Sequence, residues 1–583
     1  MLLGSNKMAA QFKQKMKTVF VPTFLALFVS ACSSTNLVTE SMKDDAYASS
    51  EFYINKADQA KEKEDKISYQ LLAVRKLIDE NKAEEAQDTF SNLNASLKEI
   101  QENPTQKLEY ELVSAQLAAL QGKNADAQAQ LKTLGTTQLS RSQQLRYYET
   151  QARIAENQKN AEEIVRARAL MNNYLTDIKA RQENNDKIWE TLRNANRGIE
   201  KAQPFAGEME FAGWIALITL YNQNVTNPAQ MPGAINNWKA QYPNHSAVSL
   251  IPTELKDVAS YQQTQLNDIA LLLPLSGEAK ILGDIIKRGF DDARGSSTTL
   301  VKTYDTNSAD INTLLANAKQ NGAGIIVGPL LKNNVDEALD SPEIKGINVL
   351  ALNSTANVKA IPQVCYYGLS PESEAKAGAD RAYADGNKVM IVVAPQGDFG
   401  QRSADAFAQR WRQLSGNDAD VRYYSSPEDA IASILSSGIT KGGLYILGTS
   451  EQVLGVKQGV DNSPLKDQLA IYTSSRSNSP NGGIEFYTAM EGVKFSEIPL
   501  LADPNSDEYK KSQNLAEGDF SMMRLYAMGA DAWSLANKFN EFSKIPGYKV
   551  SGLTGDLSAG QNCNIERTLS WMQYRNGAVE QAY

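Results

Sequence analysis

Cys32, Cys365, Cys563 and His245 are all the thiols and imidazoles in 583 residues. Cys32 stands in the most telling context. It follows the apolar run Val19 to Val29 and the small residues Ser30 and Ala31. Small residues let the chain lie extended in a signal peptidase. The cysteine sulfur then takes a diacylglycerol and becomes the new N-terminus, as in a bacterial lipoprotein signal. Lys13, Lys15 and Lys17 form the basic flank, and the apolar run is too short for the roughly 20 residues that span a bilayer. Met16 is an alternative start. An ordinary buried helix or short anchor is the competing reading, but the run is N-terminal, basic in front and closed by Ser-Ala-Cys. Residues 1–31 therefore read as a signal peptide and 32–40 as a lipidated tether. The lipid on Cys32 is the one covalent addition expected, with no other cofactor. Ser33, in place of the Asp that holds many lipoproteins at the inner membrane, favours a lipid anchor in the outer membrane, on its periplasmic side.

Cys365 and Cys563 remain. Outside the cytoplasm two leftover cysteines suggest one disulfide. Two buried free thiols are the alternative, since sequence does not show whether their Cα atoms approach closely enough. One histidine excludes a multi-histidine metal site, and no cysteine cluster replaces it, so no metal is expected. A Ser-His-Asp triad would have to use His245, yet no G-x-S-x-G elbow accompanies it. Within Tyr242-Pro243-Asn244-His245 it reads as a loop or capping residue. Ser463-Pro464-Leu465-Lys466 matches S-x-x-K, but no K-T-G follows. Gly322 to Gly328 runs into a strand instead of opening a helix, which a dinucleotide site requires. Hydrolase or transferase chemistry is thus poorly supported. The net charge of -9, with no basic cluster among aromatics, argues against a nucleic-acid partner.

The elements around these residues fall into two kinds. From Ser41 to Lys256 the chain is rich in helix formers, with apolar residues recurring at three and four, as in Leu71, Val74, Leu77 and Ile78. This half repeats. Asn81-Lys82-Ala83, Gly122 to Ala125 and Lys159-Asn160-Ala161 each follow one helix and open the next. The equivalent alanines are Ala83, Ala125 and Ala161. Their spacing suits a degenerate tetratricopeptide-like array, in which each helix pair buries its apolar face by stacking on its neighbour. A non-repeating helical bundle is the alternative.

After Pro252 short apolar runs alternate with amphipathic helices. Strands are expected at Ile269 to Leu273, Thr299 to Tyr304, Gly324 to Val327, Val349 to Leu352, Val389 to Val393, Val421 to Tyr424, Leu444 to Leu447 and Leu469 to Tyr472. Runs buried on both faces and joined by helices mean β-α-β units and parallel sheets. Eight such strands suggest two doubly wound lobes over residues 257–583. Ligands of parallel sheets sit beyond the carboxyl ends of the strands. The residues expected there, as possible cleft lining, are Ser276, Gly277, Pro329, Ser354, Thr355, Asp398, Ser474 and Arg476. They bring backbone amides, hydroxyls and close approach, with no matched acid, base and nucleophile. Asp398 and Arg402 read as a charge pair or ligand contact, or as a helix-entry cap with a surface partner. Asp305 and Thr306 read as turn residues.

Ile269 to Gly277, followed by Ile281, Gly289, Phe290 and Ala293, resembles the opening of type I periplasmic binding proteins. Gly328-Pro329-Leu330, Asn353-Ser354-Thr355 and Gly397 to Gly400 fit later elements of that fold. The whole order, from lipoprotein signal through helical array to binding-protein-like domain, resembles the LpoA family of outer-membrane lipoprotein activators of penicillin-binding proteins. So do Cys365-Tyr366-Tyr367 and Cys563 to Arg567 near Trp571. The resemblance implies a non-enzymatic regulator whose partner is a class A penicillin-binding protein of the 1A type. It implies docking by the two-lobed domain and reach by the helical one. The competing reading is a receptor that holds an amino acid, peptide or wall fragment between the lobes; the sequence leaves the identity of any small-molecule ligand open.

Overall fold

The computed structural model describes residues 34–265, 268–354 and 358–583. Cys32, with the signal peptide, and Thr355 lie outside the described residues. Among the described residues no helix is long and apolar enough to cross a membrane. The chain divides into two compact units at Ala212/Gly213.

The first unit is an array of helical hairpins. Lys63–Asp79 pairs with Ala83–Asn92, Pro104–Leu120 with Asn124–Leu134, and Arg141–Asn157 with Ala161–Met171. Each leading helix has 17 residues, as does the next helix, Ile178–Asn194. One turn closes all three pairs. Asn81, Gly122 and Lys159 adopt left-handed backbone at φ 59°, 74° and 55°. The amide after each bonds back to Leu77, Ala118 and Ala155 at 2.9 Å, the 6→1 bond of a Schellman cap. The alternation of helix and Ala-rich restart seen in the sequence is this turn repeated. A short extra helix, Leu97–Glu102, accounts for the longer first spacing. Ala86 and Ala127 are fully buried, which lets the paired helices approach.

The expected tether is not free chain. Residues 34–43 form a helix whose Val38 and Met42, one turn apart, are buried in the core with Leu71 and Val74. Arg75 donates to the Asp44 carbonyl at 2.8 Å just beyond it. An apolar pair at i, i+4 gave that segment a face to bury, so from Ser34 onward it belongs to the array.

Helix persists to Ala259, close to the expected limit at Lys256, but the units part earlier. Residues 213–259 belong with the second unit. The Tyr221 hydroxyl donates to the Pro546 carbonyl, and Trp214, Trp238 and His245 form an aromatic knot. Helical composition is the same on both sides of Ala212; only these long-range contacts decide the division.

The second unit has two lobes. In the first, β1 (Ile269–Leu273), β2 (Val301–Asp305), β3 (Ile325–Val327), β4 (Asn348–Ala351) and β5 (Val364–Tyr366) form a wholly parallel sheet in the order β2-β1-β3-β4-β5. β1 is buried at every position, as a central strand covered on both faces must be. The second lobe starts from β6 (Met390–Pro395), β7 (Asp420–Tyr424), β8 (Gly442–Ile446), β9 (Leu469–Thr473) and β10 (Lys494–Glu497). A separate meander follows: β11 (Lys549–Ser551), β12 (Asp556–Ala559) and β13 (Ile565–Thr568). Then β14 (Ser570–Arg575) and β15 (Ala578–Gln581) add antiparallel to β10, giving β15-β14-β10-β9-β8-β6-β7. After β10 the chain returns to the first lobe, where the helix Phe520–Asn537 packs on Lys280–Arg294.

Candidate functional site

The carboxyl ends of both sheets carry the expected residues, and each end is tied down locally. After β1, Asp305 accepts the Leu275 amide at 2.9 Å and the Asn307 amide at 3.0 Å, while the Asn307 side chain donates to the Ser276 carbonyl at 2.6 Å. Burial works to raise the Asp305 carboxyl. The Ser276 hydroxyl and these amides more than offset that, so it lies below the usual carboxylate range. Asp305 thus organises the Ser276-Gly277 loop. After β3, Gly328 at φ 107° precedes a cis peptide to the buried Pro329, and a Cβ there would strike the Leu272 carbonyl. Pro329 accepts the Leu352 amide at 3.0 Å. Ser354, half-buried, donates its amide to Asn353.

On the second lobe Asp398 is exposed in the first turn of the helix Asp398–Ser415. Its suggested partner, Arg402, pairs instead with Glu372 at 3.3 Å, which corrects the Asp398–Arg402 charge-pair reading. The Ser474 hydroxyl is buried without a hydrogen-bond partner. Arg476 is exposed, with its guanidinium 4.2 Å from the centre of the Phe399 ring. Beside it opens a cavity of about 650 Å³, lined by Thr449, Arg476, Asn478, Glu517, Asp519 and Arg524 among others. Of the described cleft candidates, Arg476 lines it; Ser276, Gly277, Pro329 and Ser354 follow strands of the first lobe, and Asp398 and Ser474 follow strands of the second. The cavity is polar and holds both signs of charge.

A buried network backs this cavity, and the sequence reading missed it. Arg524 donates to Glu497 at 2.6 and 3.1 Å and to the Ser475 carbonyl at 3.1 Å. Asn478 donates to Glu497 at 2.8 Å. Glu374 accepts both the amide and the hydroxyl of Ser475 at 2.9 Å. Burial lowers the Arg524 pKa, but the Glu497 carboxylate outweighs this and holds it above its ordinary value. About two turns along the same helix, Asp531 accepts the Leu553 and Thr554 amides at 2.8 Å and the Thr554 hydroxyl at 2.6 Å. Burial raises the Asp531 carboxyl in spite of those bonds. A lone Arg and a lone Asp inside the apolar run Phe520 to Trp533 were the available signal.

Cys365, in β5, and Cys563, before β13, form a disulfide with Cα atoms 4.6 Å apart. It fastens the meander to the first lobe next to Tyr367, whose hydroxyl meets Thr554 at 2.8 Å. His245 caps the short helix Ser246–Ser249: Nδ1 accepts the Ala247 amide at 3.1 Å, with the ring edge-on to Trp214 and Trp238. A Cβ on Gly213 would overlap that ring. Among the described residues no group of three or more His, Cys, Asp or Glu is placed to hold a metal.

A tetratricopeptide-like array followed by a two-lobed α/β unit of the type I periplasmic-binding-protein kind defines a class of two-module proteins. A family model described as "LppC putative lipoprotein" matches residues 43–577, and the chain belongs to this family, the LpoA lipoproteins. It is 63% identical, over 98% of each chain, to the penicillin-binding protein activator LpoA of Glaesserella parasuis serovar 5. It is 62% identical, over 98% of this chain and all of the relative, to that of Haemophilus ducreyi. A solved LpoA from Haemophilus influenzae, 45% identical, superimposes with a TM-score of 0.84 over 94% of this chain and 99% of that one. The solved C-domain of the Haemophilus influenzae protein, described as a regulator of PBP1A, is 46% identical and covers 54% of this chain and all of its own, with a TM-score of 0.52.

Proposed function

We propose that the chain is a non-enzymatic outer-membrane lipoprotein that binds and stimulates a class A penicillin-binding protein of the 1A type. The carrying observation is near end-to-end identity, above 60%, with relatives named as activators of penicillin-binding proteins. Cys32 would carry the lipid at the inner leaflet of the outer membrane. Because the helix Ser34–Lys43 starts two residues later and packs into the array, the anchor would hold the helical unit close to the membrane surface. The two-lobed unit would be the docking module. In the test, purified chain is added to a class A synthase and transpeptidase turnover is followed; turnover should rise, and the absence of both binding and stimulation would refute the reading. For the anchor, Cys32→Ala should release the protein from outer-membrane fractions. Unchanged fractionation would refute that part alone.

The polar cavity beside Arg476 supports a second reading, a receptor for an amino acid, peptide or wall fragment. Calorimetry comparing wild type with Arg476→Ala tests it, and identical traces would remove it.

A further inference from the structure

The first unit carries a second cavity, of about 310 Å³, lined by the leading helices of the three hairpins and by the trailing helix Ala161–Met171. Asp79, Gln116, Glu149, Arg153, Glu156 and Arg168 supply its polar lining. Most of these groups are already engaged. Asp79 takes Lys76 at 3.1 Å, Arg168 takes Glu156 at 2.6 Å, and the Gln116 carbonyl takes Arg146 at 2.6 Å. Two are left over. Arg153 has a buried Nη1 with no hydrogen-bond partner, an arrangement that costs free energy unless something fills it. Glu149, one turn before it on the helix Arg141–Asn157, enters no hydrogen bond or ion pair among the described residues. Glu followed by Arg at i, i+4 is a spacing that ordinarily pairs on a helix surface. Here both project into one cavity and stay apart. Ile78 and Met171 add an apolar strip beside them.

We infer that this cavity is a socket for an amino-acid-like zwitterion, with Arg153 receiving the carboxylate and Glu149 the ammonium. An isolated anion would leave Glu149 unmatched, and an isolated cation would leave Arg153 so. A group carrying both charges on neighbouring atoms satisfies each. The surroundings agree. Water reaches the Glu149 side chain, yet its carboxyl is crowded by neighbours. That crowding, and then the Asp79 carboxylate, push it up to about 7, against the opposing pull of Arg146, Arg75 and Arg168. Arg153 and Glu156 on its own helix complete the charged groups around it. An ammonium beside it would favour the ionised carboxylate and so oppose both causes of the shift.

The zwitterion can come from a free amino acid or from an amino-acid centre left free on a wall peptide. Calorimetry on the full chain in detergent separates them, with alanine and a muropeptide bearing such a centre as probes. N-acetylalanine and alanine amide serve as controls, each lacking one charge. We expect saturable heat with alanine, the muropeptide or both, and at least a tenfold weaker response to the controls. Binding to the muropeptide alone assigns the chain-borne source, and to alanine alone the free solute. Glu149→Gln, at an exposed position, and Arg153→Met, at a half-buried one, should each weaken binding at least tenfold while thermal melts stay cooperative. Binding should strengthen roughly tenfold from pH 6 to pH 8 as Glu149 ionises, and Glu149→Gln should abolish that dependence. No heat with either zwitterion, equal heat with either control, or binding untouched by both substitutions overturns the proposal. None of these results bears on synthase stimulation, which is read separately.

Discussion

Gly289 and Gly529 face each other where the helices Lys280–Arg294 and Phe520–Asn537 cross. A methyl group on Gly289 would drive into the Tyr526 carbonyl, and one on Gly529 into the Ile286 carbonyl. The two glycines let the backbones touch, and the chain thereby returns to its first lobe after building most of its second. Gly289→Ala or Gly529→Ala should destabilise the second unit by about 1–3 kcal/mol, the range for overpacking a close contact. Urea denaturation of each variant checks this. A change within error would mean that the helices shift apart at no cost.

The hairpin turns allow a finer test. Lys159 holds the left-handed position that Gly122 holds one hairpin earlier. A Cβ in that conformation costs roughly 1–2 kcal/mol, while glycine's extra freedom in the unfolded chain costs about 0.4–1 kcal/mol. Lys159→Gly should therefore stabilise the array by up to about 1.6 kcal/mol, and Gly122→Ala should destabilise it by a similar amount. Thermal melts of the two variants should move in opposite directions.

Much of this architecture is legible in the sequence because it rests on local periodicity. The strand Ile269–Leu273 begins and ends where the pattern places it, and the runs Val421 to Tyr424 and Leu469 to Tyr472 fall within one residue of β7 and β9. β5 and β10 are not recognisable as apolar runs: β10 holds one apolar residue, Phe495, among Lys494, Ser496 and Glu497, and β5 lies in a turn-rich segment between Pro362 and Pro371. The candidate site was less legible. Strand ends locate Arg476 beside the cavity, but Glu374 reaches Ser475 across a sequence separation of 101 residues and Glu497 reaches Arg524 across 27. Their pairing follows from the lobe crossings, which no window of sequence contains. The same holds for residues 213–259, whose helical pattern is silent about which unit they join.

The buried pair behind the cavity should behave as a unit. The Glu497 side chain is fully buried and that of Arg524 nearly so. Removing one partner leaves an uncompensated charge, so Arg524→Met or Glu497→Gln should cost about 3–5 kcal/mol. The double variant should cost less than the two together, since it strands neither charge. A double-mutant cycle by chemical denaturation measures the coupling; strict additivity would show that the pair is not one unit.

Glu149 gives the first unit a dependence on pH whose sign is fixed. Its folded pKa of about 7 lies above the unfolded value near 4.5. Between those values the folded chain holds a proton that the unfolded chain releases, so stability falls as pH rises from about 4.5 through 7 and then levels. Solvent screening at this accessible side chain limits the loss to on the order of 1 kcal/mol. Glu149→Gln removes it. Melting the variant and the parent at pH 5 and pH 8 should give nearly equal stability at the lower pH and a gain for the variant at the higher one.

The Cys365–Cys563 bridge closes a loop over a sequence separation of 198 residues. In the chain-entropy account, a loop that long loses a large part of its unfolded freedom on cross-linking, and removing such a bridge typically costs about 2–5 kcal/mol. The loss should be local in structure. The bridge joins β5 to the meander, which also supplies the Thr554 hydroxyl and the amides that hold Asp531. Cys365→Ser with Cys563→Ser should therefore speed amide exchange first in β11 to β13 and around Leu553 and Thr554, then along the Asp531 turn of Phe520–Asn537. Exchange in the hairpins of the first unit should stay unchanged, because the bridge lies wholly within the second. Uniform acceleration across both units would show that the disulfide stabilises the chain as a whole, while none in the meander would show that Asp531 and its partners hold that sheet without it.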